Sequence, residues 1–254
     1  MNQWNEWYQR IEPYLSAEEQ QRLLQLTRTS WSAPVLPNRA SLARYIDHTA
    51  LYAEITPSAI ERLCQEAQEW GTYSICINSQ YVPLAHTRLG DAVQIAAVVG
   101  FPLGAMATPA KAYEAQWCVD QGAQELDMVI AIGYLKAGAY DAVLADLRAV
   151  RAAAPSPVIL KVILETGLLT TDEKGIAALL SVAAGADFVK TSTGFGHGGA
   201  TVEDVALLRD TVGATVGVKA SGGIHSWQEA LDLVAAGANR LGMSKTGVVL
   251  GRED

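Results

Sequence analysis

The sequence predicts an α/β fold, a closed (β/α)8 barrel with an N-terminal helical extension, and three observations carry that expectation. The chain has 254 residues, half of them apolar, and barrels of roughly 250 residues are commonly single domains with a full core. From residue 44 onward, eight short runs with strand character alternate with helical patterns. The junctions QGAQELD (121–127), AGADFVK (184–190) and AGANRLG (236–242) repeat one grammar. In each, a helix ends, Gly takes a left-handed conformation, and a strand begins.

Taken in order, residues 1–40 stand apart as an extension that packs on the domain, and 41–254 form the barrel. The extension holds Trp4, Trp7 and Trp31, three of the six tryptophans. SAEEQQRLLQL reads as a capped helix, with Ser16 at the N-cap, Glu19 three residues on, then Leu23, Leu24 and Leu26. SAPVLPNRAS (32–41) reads as a linker. The strand candidates are YIDH (45–48), SICIN (74–78), QIAAVVG (94–100), ELDMVI (125–130), VILKVILE (158–165), DFVKTST (187–193), VGVKASG (216–222) and RLGMS (240–244). Between them lie amphipathic stretches such as AYDAVLADLRAVRAA and SWQEALDLVAAG. Strict alternation implies parallel strands with right-handed crossovers, and eight such units imply a TIM-type closure rather than an open sheet.

Composition excludes several classes. The net charge is -8 and the pI near 5.0, whereas nucleic-acid binding needs clustered Lys and Arg. Three unpaired cysteines (Cys64, Cys76, Cys118) suit a reducing compartment. His48, His86, His197 and His225 form no ligand motif, so neither a metal nor a cofactor is expected. MNQWNEWYQR has no apolar run or small-residue cleavage site, and no stretch of about 18 apolar residues suggests a membrane span. The expected home is the cytoplasm.

Ionisable residues interrupt the strand candidates: Asp127 in ELDMVI, Lys161 in VILKVILE, Lys190 in DFVKTST and Lys219 in VGVKASG. Lysine inside an apolar strand is costly unless paired or neutral. Desolvation and a nearby cation both lower a lysine pKa, and such an amine attacks carbonyls. The plainer reading is a structural Lys–Asp pair. Several strand lysines aimed at one barrel interior favour Schiff-base chemistry instead. Glycine-rich segments follow the last three strands: STGFGHGGAT, SGGIHS and GMSKTG. Barrels often bind phosphate in loops after strands seven and eight, where Gly lets backbone N–H groups approach an anion. Lys245 adds charge there. Cys76 is a candidate pocket thiol. His48 is expected to point outward, with Asp47 and Thr49 inward. Glu165 ends the fifth strand, with no role assigned.

The motifs DHT (47–49), VGFPLG (99–104), ELDMVI, LKVILET (160–166), AGADFVKTSTGF (184–195) and VGVKASGGI (216–224) resemble the deoxyribose-phosphate aldolases, in that family's order and spacing from about residue 44 to 250. The resemblance implies reversible cleavage of 2-deoxy-D-ribose 5-phosphate to D-glyceraldehyde 3-phosphate and acetaldehyde, without a cofactor, as in deoxyribonucleotide catabolism. It implies Lys190 as the Schiff-base lysine, Lys219 as the group lowering its pKa, and Asp127 as activator of the water that shuttles protons. It implies Asp47, Thr49, Lys161 and Thr193 near the substrate, and Gly194, Gly222, Gly223 and Ser244 around the phosphate. It further implies a homodimer, for which apolar residues of the extension are a candidate interface. The chain departs from the family pattern at Tyr52, Ala131, His225 and Lys245, which touches the phosphate rim and pocket wall. Two rivals stand beside this reading. One is another Schiff-base barrel acting on ketose phosphates; the other is a sugar-phosphate-binding barrel without activity.

Overall fold

In the computed structural model, which describes residues 3–27 and 31–252, eight parallel strands close on themselves in sequence order, with β8 pairing β1. They are β1 (Ile46–Ala50), β2 (Ser74–Ile77), β3 (Gln94–Val99), β4 (Glu125–Val129), β5 (Ile159–Ile163), β6 (Phe188–Lys190), β7 (Gly217–Ser221) and β8 (Arg240–Met243). Every expected strand is present. β6 is shorter than the sequence run, because Thr191 to Thr193 already turn into the glycine loop.

The helices are α1 (Gln3–Ile11), α2 (Ala17–Leu26), α3 (Arg39–Leu42), α4 (Pro57–Trp70), α5 (Val82–Leu89), α6 (Thr108–Asp120), α7 (Ile132–Lys136), α8 (Tyr140–Ala153), α9 (Thr171–Ala183), α10 (Val202–Val212), α11 (Trp227–Ala235) and α12 (Thr246–Leu250). Their boundaries follow from local chemistry. Ser16 and Glu19 form the expected capping box of α2, and Thr170–Glu173 and Ser226–Glu229 form the same device at α9 and α11. Gly122, Gly185 and Gly237 have φ of 104°, 91° and 121°, the left-handed joints expected before β4, β6 and β8. The linker ends earlier than expected, since the Asn38 side chain accepts from Ser41 N and starts α3.

Strand alternation divides the molecule into two interiors. Outward residues such as Ile75, Ile95, Leu126, Val162 and Leu241 pack under the helices in the main apolar core. Inward residues include Asp47, Glu125, Asp127, Lys161, Lys190, Lys219 and Arg240, all buried. The extension completes the outer core. α9 is buried from Gly175 to Ala183 because α1 and α2 cover its outer side. Trp7 sits so close to Gly175 that a Cβ there would lie 2.3 Å from the indole. Trp7 Nε1 donates to Asp172 Oδ1 at 2.9 Å and Trp4 Nε1 to Thr211 O at 3.1 Å. These two tryptophans therefore bind the extension to its own barrel and are not free to form an intermolecular surface. No helix among the described residues is long and apolar enough to cross a membrane.

Candidate active site

The site is built from the strands upward. Register sets Asp127 beside Lys161 and Lys190 beside Lys219 on neighbouring strands. Asp127 then collects all three strand lysines. Its Oδ1 accepts from Lys161 Nζ at 2.7 Å, and its Oδ2 accepts from Lys190 Nζ at 2.7 Å and Lys219 Nζ at 2.6 Å. Lys161 also pairs with Glu125 at 2.6 Å, and Lys219 with Asp47. Below them, at the first residue of β8, Arg240 pairs with Asp47 at 2.8 Å and Glu125 at 3.1 Å. Its guanidinium lies 3.5 Å from the centroid of the Tyr73 ring, so the charge rests on an aromatic face.

This arrangement separates the lysines electrostatically. Burial pushes the Lys190 amine below the usual lysine range, and Lys219 pushes the same way; Asp127 opposes them without winning. Lys219 goes the other way: burial disfavours its charge, but Asp127 and Asp47 outweigh that and hold it above the usual range. For Lys161 too, Asp127 and Glu125 outweigh burial and raise its pKa. Burial alone would raise Asp127, yet Lys161, Lys190 and Lys219 hold the carboxyl well below the ordinary range. The result is one uncharged-leaning amine beside two fixed cations and an ionised carboxylate.

Lys190 also has access. A cavity of about 220 Å³ opens at the strand C-termini and is lined by Thr49, Lys190, Thr193, Gly194, Gly222, Gly223 and Ser244, among others. Of the strand lysines only Lys190 lines it; Asp47, Asp127, Lys161 and Lys219 lie beneath, fully buried. Leu51 lines it too, and packs on the buried side chains of Cys76, Ala96 and Val98, with Phe101 against them. A larger hollow of about 1290 Å³ lies at the strand N-termini among Arg22, Arg151, Asp187 and Asn239. None of the interior lysines lines it.

The far side of the cavity is backbone. Gly194, Gly222 and Gly223 have φ of 84°, 85° and 77°, conformations in which side chains are strained. Gly199 lies against Gly222 so closely that a Cβ on it would fall 2.3 Å from Gly222 O. The loop after β6 is held from below by Glu165, whose Oε2 accepts from Thr193 N at 3.2 Å and Thr193 Oγ1 at 2.5 Å. Glu165 is the one non-glycine residue with positive φ, 58°, among the described residues. Its other oxygen, Oε1, is buried without a hydrogen-bond partner among the described residues.

Several expectations need correction. Lys245 is exposed and does not line the cavity, whereas His225 does. Cys76 is fully buried beneath the cavity, with Sγ 3.9 Å from Asp127 Oδ2, and burial raises its thiol pKa. Tyr52 lines the mouth, its ring 5.3 Å from that of Phe195, while Ala131 belongs to a separate surface hollow. As expected, His48 faces away from the barrel axis, with Nε2 2.9 Å from Glu66 and its ring beside Trp70. Sequence reading missed Glu125 and Arg240. Glu125 was within reach, since two residues before Asp127 it shares that strand face.

Residues 41–254 match the model of the DeoC/LacD family aldolases. The deoxyribose-phosphate aldolase of Carboxydothermus hydrogenoformans is 55% identical over 207 residues, covering 80% of this chain and 91% of that protein. The deoxyribose-phosphate aldolase of Deinococcus radiodurans is 51% identical over 216 residues, covering 84% and 98%. Among solved structures, the tetrameric deoxyribose phosphate aldolase of Aeropyrum pernix superposes with a TM-score of 0.79 at 32% identity, covering 93% of this chain and 97% of that one.

Proposed function

Because the chain belongs to the DeoC/LacD family and is an aldolase, a carbon–carbon lyase, we propose that it cleaves 2-deoxy-D-ribose 5-phosphate reversibly to D-glyceraldehyde 3-phosphate and acetaldehyde through a Schiff base on Lys190. The observation that carries this reading is that Lys190 alone among the interior lysines combines a lowered pKa with a place on the cavity wall.

In this reaction the neutral Lys190 amine attacks C1 of the open-chain sugar. Loss of water gives an iminium. The C3 hydroxyl loses its proton, the C2–C3 bond breaks, and its electron pair moves into the iminium to give an enamine while glyceraldehyde 3-phosphate leaves. Protonation of the enamine at C2 and hydrolysis release acetaldehyde and restore the amine. Asp127, ionised and bonded to Lys190, orders the water through which these protons travel, and Lys219 keeps the amine uncharged. The two-carbon fragment lies against Leu51, which Cys76 and Val98 back from beneath. The phosphate rests on backbone N–H groups around Gly194, Gly222 and Gly223, with Thr193, Ser244 and His225 at the rim. Thr49 and Asp47 shape the floor, and Lys161 holds Asp127 in place.

The test is borohydride reduction in the presence of acetaldehyde, followed by peptide mass spectrometry. A two-carbon adduct on Lys190, absent from Lys190→Ala, supports the reading; a wild-type protein unmodified at Lys190 overturns it. Assay of deoxyribose 5-phosphate beside ketose phosphates then fixes the substrate, cleavage of the former alone being expected.

A further inference from the structure

We infer that Arg240, at the closed end of the barrel, is a positioning residue that keeps Lys190 in its reactive amine form by completing the charge balance of the interior. The inference rests on the Schiff-base reading above and extends it to a residue that does not line the cavity.

The argument is a charge count. The buried carboxylates inside the barrel are Asp47 on β1 and Glu125 and Asp127 on β4. The cations facing them are Lys161, Lys190, Lys219 and Arg240, one from each of β5 to β8. Three negative charges meet four groups able to be positive. A surplus charge in a dry interior is expensive, so one group gives up its proton. Arg240 cannot, because a guanidinium stays charged at any working pH.

The bonding decides among the lysines. Lys161 lies within 3.9 Å of all three carboxylates. Lys219 is paired with two, Asp47 and Asp127. Lys190 is paired with Asp127 alone, on the same oxygen that Lys219 uses. It is therefore the least-held cation and the one left uncharged. Arg240 makes it so. By engaging Asp47 and Glu125 it supplies the third cation that Lys190 would otherwise have to be. Other titratable groups nearby leave the count unchanged. The Cys76 thiol is kept neutral by burial. Arg44 lies over the Tyr73 ring and bonds Thr72 O. Glu165 follows β5, bonds Thr193 and forms no ion pair with any of the four cations.

The prediction has a sign for each partner. In Arg240→Met the interior lacks one cation, Lys190 takes up the proton, and its titration moves to higher pH. In Glu125→Gln the interior lacks one carboxylate, and the Lys190 titration moves to lower pH. The double variant is neutral again and returns towards the wild type. Each single shift is expected to be about one pH unit or more, as for a charge removed at ion-pair distance in a protein interior.

The experiment measures borohydride-trapped acetaldehyde adduct on Lys190 against pH, at short reaction times, in the full-length protein. Opposite shifts in the two single variants, cancelling in the double, establish the role. Adduct on Lys190 in both variants with the wild-type pH dependence, or with shifts in the same direction, overturns it. A wild type that forms no adduct on Lys190 instead removes the Schiff-base reading itself. If Arg240→Met does not fold, Glu125→Gln decides alone, because it changes charge at constant volume; an unshifted titration there overturns the inference.

Discussion

Two buried lysines, one in the helical layer and one inside the barrel, differ in a way that bears on the proposed Schiff base. Lys111 on α6 is fully buried, and its Nζ donates to Asp146 Oδ2 at 2.6 Å and Val129 O at 3.0 Å. The other Asp146 oxygen accepts from Thr108 Oγ1 at 2.8 Å. That is one cation with one carboxylate, every charge matched. Lys190 is as deeply placed, at 2% exposure, but it shares one oxygen of Asp127 with Lys219. Burial is common to both. The difference is stoichiometry: Lys111 has a carboxylate to itself, whereas Lys190 shares one, which on the proposed reading leaves it an amine.

The largest effect that tests this contrast is on chemistry. Lys190→Met removes the surplus group, so the rate of aldol cleavage is expected to fall about 10³-fold or more. The melting temperature should move little, because the variant leaves Asp127 still paired with Lys161 and Lys219. Steady-state kinetics with calorimetry checks both halves; a collapse in stability would mean that Lys190 is structural like Lys111. Lys111→Met should do the reverse. It leaves Asp146 buried and unmatched, a loss of about 3–5 kcal/mol, read as a lower urea midpoint with turnover per folded molecule unchanged. Loss of turnover with stability intact would erase the distinction between the two layers.

The same contrast explains what the sequence makes legible. Lys161, Lys190 and Lys219 stand out because lysine in a β-branched run must be paired, neutral or reactive. Lys111 lies in a helix where polar and apolar residues mix without a clear face, so its burial depends on α8 packing against it and leaves no local mark. Arg240 opens β8 at a helix-to-strand junction and reads there as a boundary residue; only closure of the barrel brings it to Asp47 and Glu125. Asp47 is legible mainly through the family motif DHT. α1 packs on α9, far along the chain, a contact that no local pattern reveals.

Glu165 sharpens the comparison as a carboxylate with no cation among the described residues. It sits at φ 58° and holds the Thr193 backbone and hydroxyl with one oxygen. Glu165→Gln keeps the shape and removes the charge, weakening these charge-assisted bonds by roughly 1 kcal/mol. The loop that carries Gly194 loosens, and the KM for the sugar phosphate is expected to rise about fivefold, with kcat changed less. The acetaldehyde adduct on Lys190 should form at its normal rate, since the two-carbon fragment does not use that loop. Equal losses for acetaldehyde and sugar phosphate would place Glu165 in the chemistry of the interior instead.

The smallest expected effect concerns the rim, where among the described residues no side chain of Lys or Arg lines the cavity apart from Lys190 itself. His225 is exposed there. His225→Arg adds a fixed cation beside the glycine cradle without touching the interior count of charges. A partly exposed guanidinium–phosphate contact is worth about 1 kcal/mol, so the KM for deoxyribose 5-phosphate should fall about fivefold at pH 8. Trapping of acetaldehyde, which has no phosphate, should be the same in both proteins at every pH. A pH-dependent change in that trapping would show that charge at the rim reaches Lys190, and the separation between a balanced rim and an unbalanced interior would not hold.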